Sequence, residues 1–394
     1  MIKTLSEDQK KAIKTLYLWY KAANKPPYIT LGGYAGTGKT TTISIFRKAI
    51  YKDNKEVKVA FCSFTGKGAV VLKNKLKEAG TIYSKDFVGT IHSLIYSPII
   101  SKGGEIMGWE TKDELKYDLI VIDEASMVDS QIWNDLLYYK IPIIAVGDHG
   151  QLPPINGNFN LMEKPQLKLE TIHRQAEENP IIKLSVLARN EGLIPLGEYG
   201  KNVKKLTNAQ FEGRELVDEL LRGYNKDMLI LCGYNSTRIK INNYIRGALE
   251  YETSEPQFND RVICLKNNRK QNIYNGMLGN IVQIYKEDPD WYYAEIELDE
   301  EGQYYKGLIS VDQFGASETL NFKEDRKKSR KGDLFDFGYA LTVHKAQGSE
   351  ANRVVVFEER FAKMDDDTWR KWLYTAVTRA AKELYVVGNE VIEE

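Results

Sequence analysis

The sequence predicts an α/β fold of two parallel sheets, and three observations carry that reading. Strand-like apolar runs recur with helical stretches between them; a glycine-rich GGYAGTGKTT stretch joins one such run to a helix; and 394 residues are too many for one ordinary core. The runs are YITL, VKVAFCSF, DLIVIDEA and IPIIAVGD before residue 150, then MLILCGY, RVVVFEE and LYVVGN beyond 227. Two clusters fit two sheets better than one.

Taken in order, YITL reads as a strand, and TTISIFRKAI after the glycines sets Ile43, Phe46 and Ile50 on one helical face. Residues 95–112 break the rhythm: IYSPIISKGGEIMGWE reads as two short strands about a Lys-Gly-Gly turn, a hairpin hung on the first unit. The break at Asn179-Pro180 sets a boundary near 175–180, giving units of 1–177 and 178–394. From about 266 to 335 come short β-like pieces, NGMLGNIVQIY and WYYAEIELDE, then the basic run KEDRKKSRKGD. These predict a small barrel-like β insertion in the second unit.

Composition narrows the class. Hydrophobic content of 42% with 28% charged residues is that of a soluble globular chain. MIKTLSEDQKKAI lacks an apolar signal core and no apolar run approaches a membrane span, so the expectation is a cytosolic or nuclear protein without a membrane partner. Cys62, Cys232 and Cys264 lie far apart in strand-like runs and read as buried free thiols. Lys+Arg and Asp+Glu both number 55, so any nucleic-acid partner must be met by local charge in a groove.

Read from Gly33, the glycine-rich stretch fits G-x-x-x-x-G-K-T, with Gly36 and Gly38 about the turn and Lys39 and Thr40 closing it. Glycines let backbone N–H groups approach phosphate, and the helix start adds positive potential. Lys39 suits β- and γ-oxygens and the Thr40 hydroxyl suits Mg²⁺. Thr37 and Thr41 complete the loop's nucleotide-binding set. Such a loop alone serves kinases, GTPases, clamp loaders and helicases alike.

Further on, DLIVIDEAS ends a strand in Asp123-Glu124, an aspartate for the Mg²⁺ shell and a glutamate to orient or deprotonate water. AVGDHGQLPPI places Gln151 where a strand ends, suited to sensing the γ-phosphate. In order, GYAGTGKTT, FCSFTGKGAV, GTIHSLI, VIDEASM, VGDHGQLPPI, TIHRQ, YALTVHKAQGSE and LYTAVTRAAKELYVVG resemble the motif series of superfamily 1 helicases, best matched in the RecD-like and Dda-like branch.

That resemblance covers nearly the whole chain and implies two RecA-like domains clasping one ATP with Mg²⁺. It implies that Gln9 reads the adenine edge, that Arg174 and Arg379 reach the γ-phosphate, and that Gly348 and Glu350 belong to the nucleotide set. It implies a single-strand track of Phe64, Thr65, Lys67, Thr90 and His92 in the first unit and Thr342, His344 and Lys345 in the second. His92, His149, His173 and His344 all fall within these motifs, so a histidine metal cluster is unnecessary. The expected activity is ATP-driven unwinding of DNA by a monomer moving 5′ to 3′ on one strand of a duplex fork. An RNA-directed helicase, or a P-loop switch acting on a protein partner, stands as the alternative.

Beside GTIHS, the hairpin is expected to be the wedge that splits the duplex, with Ile99, Ile100, Lys102, Ile106, Met107 and Trp109 at the fork. The run Lys323 to Lys331 reads either as a phosphate contact or as a solvated turn.

Overall fold

This computed structural model describes residues 5–388 except 101–105, 154–158, 173–177, 252, 267, 269, 272, 300–301 and 321–330. It contains the α/β architecture expected, with two six-stranded sheets, a five-stranded sheet and a hairpin.

In the first unit, helix α1 (Glu7–Lys21) opens on a capping box between Ser6 and Gln9, with Glu7 and Asp8 at its positive end. Strand β1 (Tyr28–Gly33) runs into the phosphate loop, from which α2 (Lys39–Asp53) departs. There follow β2 (Val59–Ser63), α3 (Gly66–Glu78), β3 (Phe87–Thr90), α4 (Ile91–Ile95) and the hairpin strands β4 (Tyr96–Ile100) and β5 (Ile106–Thr111). Strand β6 (Leu119–Asp123), α5 (Ser130–Tyr138), β7 (Ile143–Gly147) and β8 (Leu167–Leu169) complete it.

The parallel order β3-β2-β6-β7-β1-β8 sets the loop-bearing strand β1 between β7 and the short edge strand β8. Its central strands are continuous apolar runs because both faces are covered. Val59, Phe61, Leu119 and Val121 pack with Ile43, Phe46 and Ile50 of α2, while Ala60, Cys62, Ile120 and Ile122 pack with α4 and α5.

The second unit starts with α6 (Pro180–Glu191). The Asn179-Pro180 break is here a helix start: the Asn179 side chain accepts from Ile181 N–H, and Pro180 sits where no intrahelical N–H is needed. Strands β9 (Gly197–Gly200) and β10 (Val203–Thr207), α7 (Phe211–Arg222), β11 (Met228–Cys232) and α8 (Asn235–Ala248) follow.

The insertion then comprises β12 (Arg261–Cys264), β13 (Leu278–Asp288), β14 (Trp291–Leu298), β15 (Tyr304–Ser310) and β16 (Phe335–Phe337). Its pairing begins at Arg261, ahead of the expected bound of 266, because β12 pairs with both β13 and β16. Asp333 N–H donates to Leu308 O at 2.8 Å and Ser310 N–H to Asp333 O at 3.1 Å, which ties the edge strand β15 back toward β16 and curls the sheet on itself. Lys331 bonds Asp288 at 2.6 Å, a scaffold contact; Lys327, Lys328 and Arg330 lie outside the described residues. Finally β17 (Ala340–Thr342), β18 (Ala351–Phe357), α9 (Asp366–Val377) and β19 (Ala380–Gly388) return to the second sheet, ordered β17-β11-β18-β19-β10-β9.

The two units interlock. Leu152 of the first is buried in the core that α6 and α9 form over the second sheet, and Tyr34 and Ala35 of the phosphate loop pack against it. Among the described residues Cys62, Cys232 and Cys264 are buried thiols outside any disulfide, and no helix is long and apolar enough to cross a membrane.

Candidate nucleotide site and nucleic-acid interface

Gly36 and Gly38 have φ of 80° and 78°, the left-handed region where a side chain is strained. A Cβ on Gly33 would lie 2.7 Å from Thr37 Oγ1 and 3.0 Å from Lys39 Cγ, so glycine is needed there for space. Fully buried Gln9 donates from Nε2 to Thr37 O at 3.0 Å, tying α1 to the loop. Lys39 Nζ folds back, donating to Gly33 O at 2.6 Å and Tyr34 O at 3.2 Å, with Asp148 Oδ2 3.8 Å away. Helix α2 starts without a side-chain cap or an acidic residue in its first turn, which holds Thr40 and Thr41. Its positive end is therefore open to an anion, and a triphosphate fits this cradle.

At the end of β6, Asp123 and Glu124 are both half-buried, with the Glu124 Oε2 atom out of reach of solvent. Burial pushes both carboxyls above their ordinary range; the Asp123 charge raises Glu124 further, and Arg379 and Lys39 pull it back down. Glu124 takes a left-handed backbone, φ 55°, and its Oε2 has no partner among the described residues. An orphaned, buried carboxylate oxygen beside a phosphate loop suits a water or the shell of a divalent cation, with Thr40 and Asp123 as the protein's oxygen donors. Gln151 is 7% exposed in the turn after β7, its N–H bonded to Asp148 O.

From the second unit, Arg379 is 5% exposed and turned onto carbonyls of its own unit, Thr375 O at 3.1 Å and Ser349 O at 3.3 Å. It is nonetheless close enough to bias Glu124 electrostatically. Gln347 Nε2 donates to Leu152 O at 2.6 Å, and Leu152 N–H to Thr375 Oγ1 at 2.9 Å, so the 148–152 turn is held by the second unit. Arg174 and His173 lie outside the described residues. Gly348, expected at the nucleotide, abuts the first unit: a Cβ there would meet Met127 Sδ at 2.4 Å and Thr65 Cγ2 at 3.3 Å. Glu350 is exposed.

A cavity of about 540 Å³ opens between the units, lined by Phe64, Thr65, Thr90 and His92 on one side and His344 and Lys345 on the other. Tyr274 of the β insertion closes it, its ring 4.1 Å from that of His92, while Phe64 meets His92 edge-on at 6.0 Å. Phe64 also packs on the first unit's core, so the core and cavity roles coincide. Thr65 and Thr90 spend their side-chain oxygens as helix caps, accepting from Gly68 and Ser93 N–H. Both residues line the cavity at these helix starts. Burial lowers the basicity of His344 and Lys345. Thr342 ends β17 next to them, and Lys67 lies in the first turn of α3.

The hairpin borders the same cavity through Tyr96, Pro98 and Trp109. Trp109 is half-buried, packed against the first unit's core on one side and lining the cavity on the other. Ile99 is 42% exposed and keeps the outward apolar face expected of it. Ile100 and Ile106 are paired by backbone and Met107 lies in β5, but their side chains and Lys102 lie outside the described residues.

Sequence reasoning missed Asp148, Tyr374 and the Tyr34–Arg189 stack. Asp148 and Tyr374 sit inside motifs already noticed, VGDHGQLPPI and LYTAVTRA, where the available signal was a polar group in an apolar stretch. Arg189 had no local signal.

Fold and loop together define a phosphate-loop protein of the two-sheet α/β class. Residues 4–206 match the family described as AAA domain, and residues 337–387 that described as UvrD-like helicase C-terminal domain. The first match takes in more than half of the chain, which belongs to that family. The ATP-dependent RecD2 DNA helicase of Deinococcus radiodurans is 28% identical over 388 residues, covering 92% of this chain and 47% of that protein. The RecBCD enzyme subunit RecD of Buchnera aphidicola is 25% identical, covering 92% and 71%. The chain thus spans about half the length of the RecD2 relative. The structure of Bacteroides Pif1 helicase with ADP-AlF3 and ssDNA superimposes with a TM-score of 0.48 at 19% identity, covering 99% of this chain and 93% of that one, too loosely to add to the assignment.

Proposed function

We propose that the protein is an ATP- and Mg²⁺-dependent DNA helicase that translocates 5′ to 3′ along a single strand and opens the duplex at a fork. One observation carries the reading: a single cavity is walled by both units, and the same two units meet at the phosphate loop. Any change of spacing driven at the loop therefore changes the cavity.

In this reading the loop N–H groups, Lys39 and Thr40 hold the triphosphate, Thr40 and Asp123 would hold Mg²⁺, and Gln9 leaves Thr37 O to meet the base. Bound Mg²⁺ supplies neutralisation of charge on the phosphates. Glu124 orients the attacking water and takes its proton, Gln151 registers the γ-phosphate, and Arg379, with Arg174, swings toward charge developing on it. Phe64 offers a stacking face while cap-ordered backbone at Thr65 and Thr90, with His92, His344, Lys345, Thr342 and Lys67, grips phosphate and sugar without reading sequence. Domain bounds of 1–177 and 178–394 suit this division of labour. The direction of travel rests on the RecD-like resemblance alone.

Strand displacement on 5′-tailed and 3′-tailed duplexes, with ATPase measured beside single-stranded DNA and RNA, tests substrate and polarity together. Unwinding of 5′-tailed DNA is expected. ATPase indifferent to any nucleic acid would return the reading to a P-loop switch, and preferential stimulation by RNA to an RNA-directed motor.

A further inference from the structure

We propose that Tyr374 is a positioning residue that latches the second unit onto the phosphate loop, and that a bound triphosphate must displace its hydroxyl. This rests on the nucleotide-driven reading above. Ala35 N–H donates to Tyr374 Oη at 2.8 Å, and that hydroxyl donates to Asp148 Oδ2 at 2.6 Å. Tyr374 is fully buried and Asp148 3% exposed. Burial and the neighbouring Asp148 hold the phenol well above its ordinary pKa, so it stays neutral and serves as acceptor and donor at once.

The adjoining residue of the loop is gripped too. The Arg189 guanidinium lies 3.6 Å from the centre of the Tyr34 ring, whose other neighbours are His149 at 4.2 Å and Tyr374 at 6.1 Å. Arg189 stands on α6 and Tyr374 on the last turns of α9, so two helices of the second unit hold consecutive residues of the loop.

Three groups suited to an anionic ligand are thus occupied by the protein itself. Ala35 N–H is on the Tyr374 hydroxyl, Lys39 on the Gly33 and Tyr34 carbonyls, and Arg379 on the Thr375 and Ser349 carbonyls. Ala35 is the third residue of a loop whose backbone N–H groups cradle phosphate. An anionic oxygen makes a stronger bond to such a donor than a neutral phenol does, so the triphosphate wins the exchange. Once released, Tyr374 frees the last turns of α9, which lead directly into Arg379. Loop occupancy is then passed to the arginine and, through Thr375 and Leu152, to the Gln151 turn.

The test is direct nucleotide binding to the full chain without nucleic acid, read with a fluorescent ATP analogue. Tyr374→Phe keeps the ring and removes the competing hydroxyl. It is expected to bind the analogue about five-fold more tightly, ~1 kcal/mol or one net hydrogen bond. A merely structural role would weaken binding, so unchanged or weaker affinity in folded Tyr374→Phe overturns the latch. Should that variant melt early, Arg189→Gln, which loosens the grip on Tyr34, is expected to shift affinity the same way, and no shift overturns the proposal. Wild-type protein that binds no nucleotide removes the motor reading and the latch together, whereas wild-type binding with an unmoved Tyr374→Phe removes the latch alone.

Discussion

Glu124 is the residue at which local energetics and function pull apart. Its backbone is left-handed, its carboxyl is buried, one oxygen lacks a partner among the described residues, and Asp123 adds a like charge. A carboxyl raised by folding adds stability below its ordinary pKa and loses that contribution as pH climbs through the folded value, so near neutral pH this pair weakens the fold. Glu124→Gln is therefore expected to raise the melting temperature near neutral pH, with the gain shrinking as pH falls, while slowing ATP hydrolysis and leaving ATP binding intact. A lower melting temperature would dispose of the strain argument, and near-normal turnover of its part in hydrolysis. Lys39→Ala acts on the ligand instead. Removing that ammonium is expected to abolish ATPase and unwinding while single-strand binding, measured by anisotropy, persists.

At the scale of elements, the hairpin separates packing from work. Trp109 packs half-buried against the first unit's core, so Trp109→Ala is expected to cost about 2 kcal/mol in a denaturant melt and to depress ATPase and unwinding alike. Ile99 is exposed, and Ile99→Ser should leave stability and single-strand-stimulated ATPase near wild type while lowering strand displacement. Equal strand displacement by Ile99→Ser and wild type would retire Ile99 from the fork. Alternation made both strands of this hairpin legible, since apolar residues flank a Lys-Gly-Gly turn. Which apolar side chain faces inward was not legible, because that depends on where α4 and α5 lie beneath it.

Across the whole molecule, coupling runs through contacts between residues more than a hundred positions apart, such as Leu152 with Thr375 and Gln347. Arg379 lies at the end of that chain, turned onto its own unit's carbonyls yet felt by Glu124. Arg379→Ala is expected to lower turnover by roughly 10³ with a far smaller change in nucleotide affinity. Wild-type turnover with DNA present would break the link between cleft and hydrolysis.

What the sequence by itself determined is what short-range chemistry controls. The parallel strands appear as apolar runs because they are covered on both faces, the phosphate loop as glycines that only a left-handed turn or a close approach requires, and Asp123-Glu124 as charge ending a buried strand. Tertiary structure alone decided the rest: that Tyr374 and Arg189 hold the loop, that Gly348 sits against Met127, that Tyr274 closes the cavity over His92, and that β12 opens the insertion at Arg261. Each of these is a meeting of side chains or strands from distant segments. No periodicity or spacing encodes such a meeting, since the distance that matters is set by how two separately folded sheets pack.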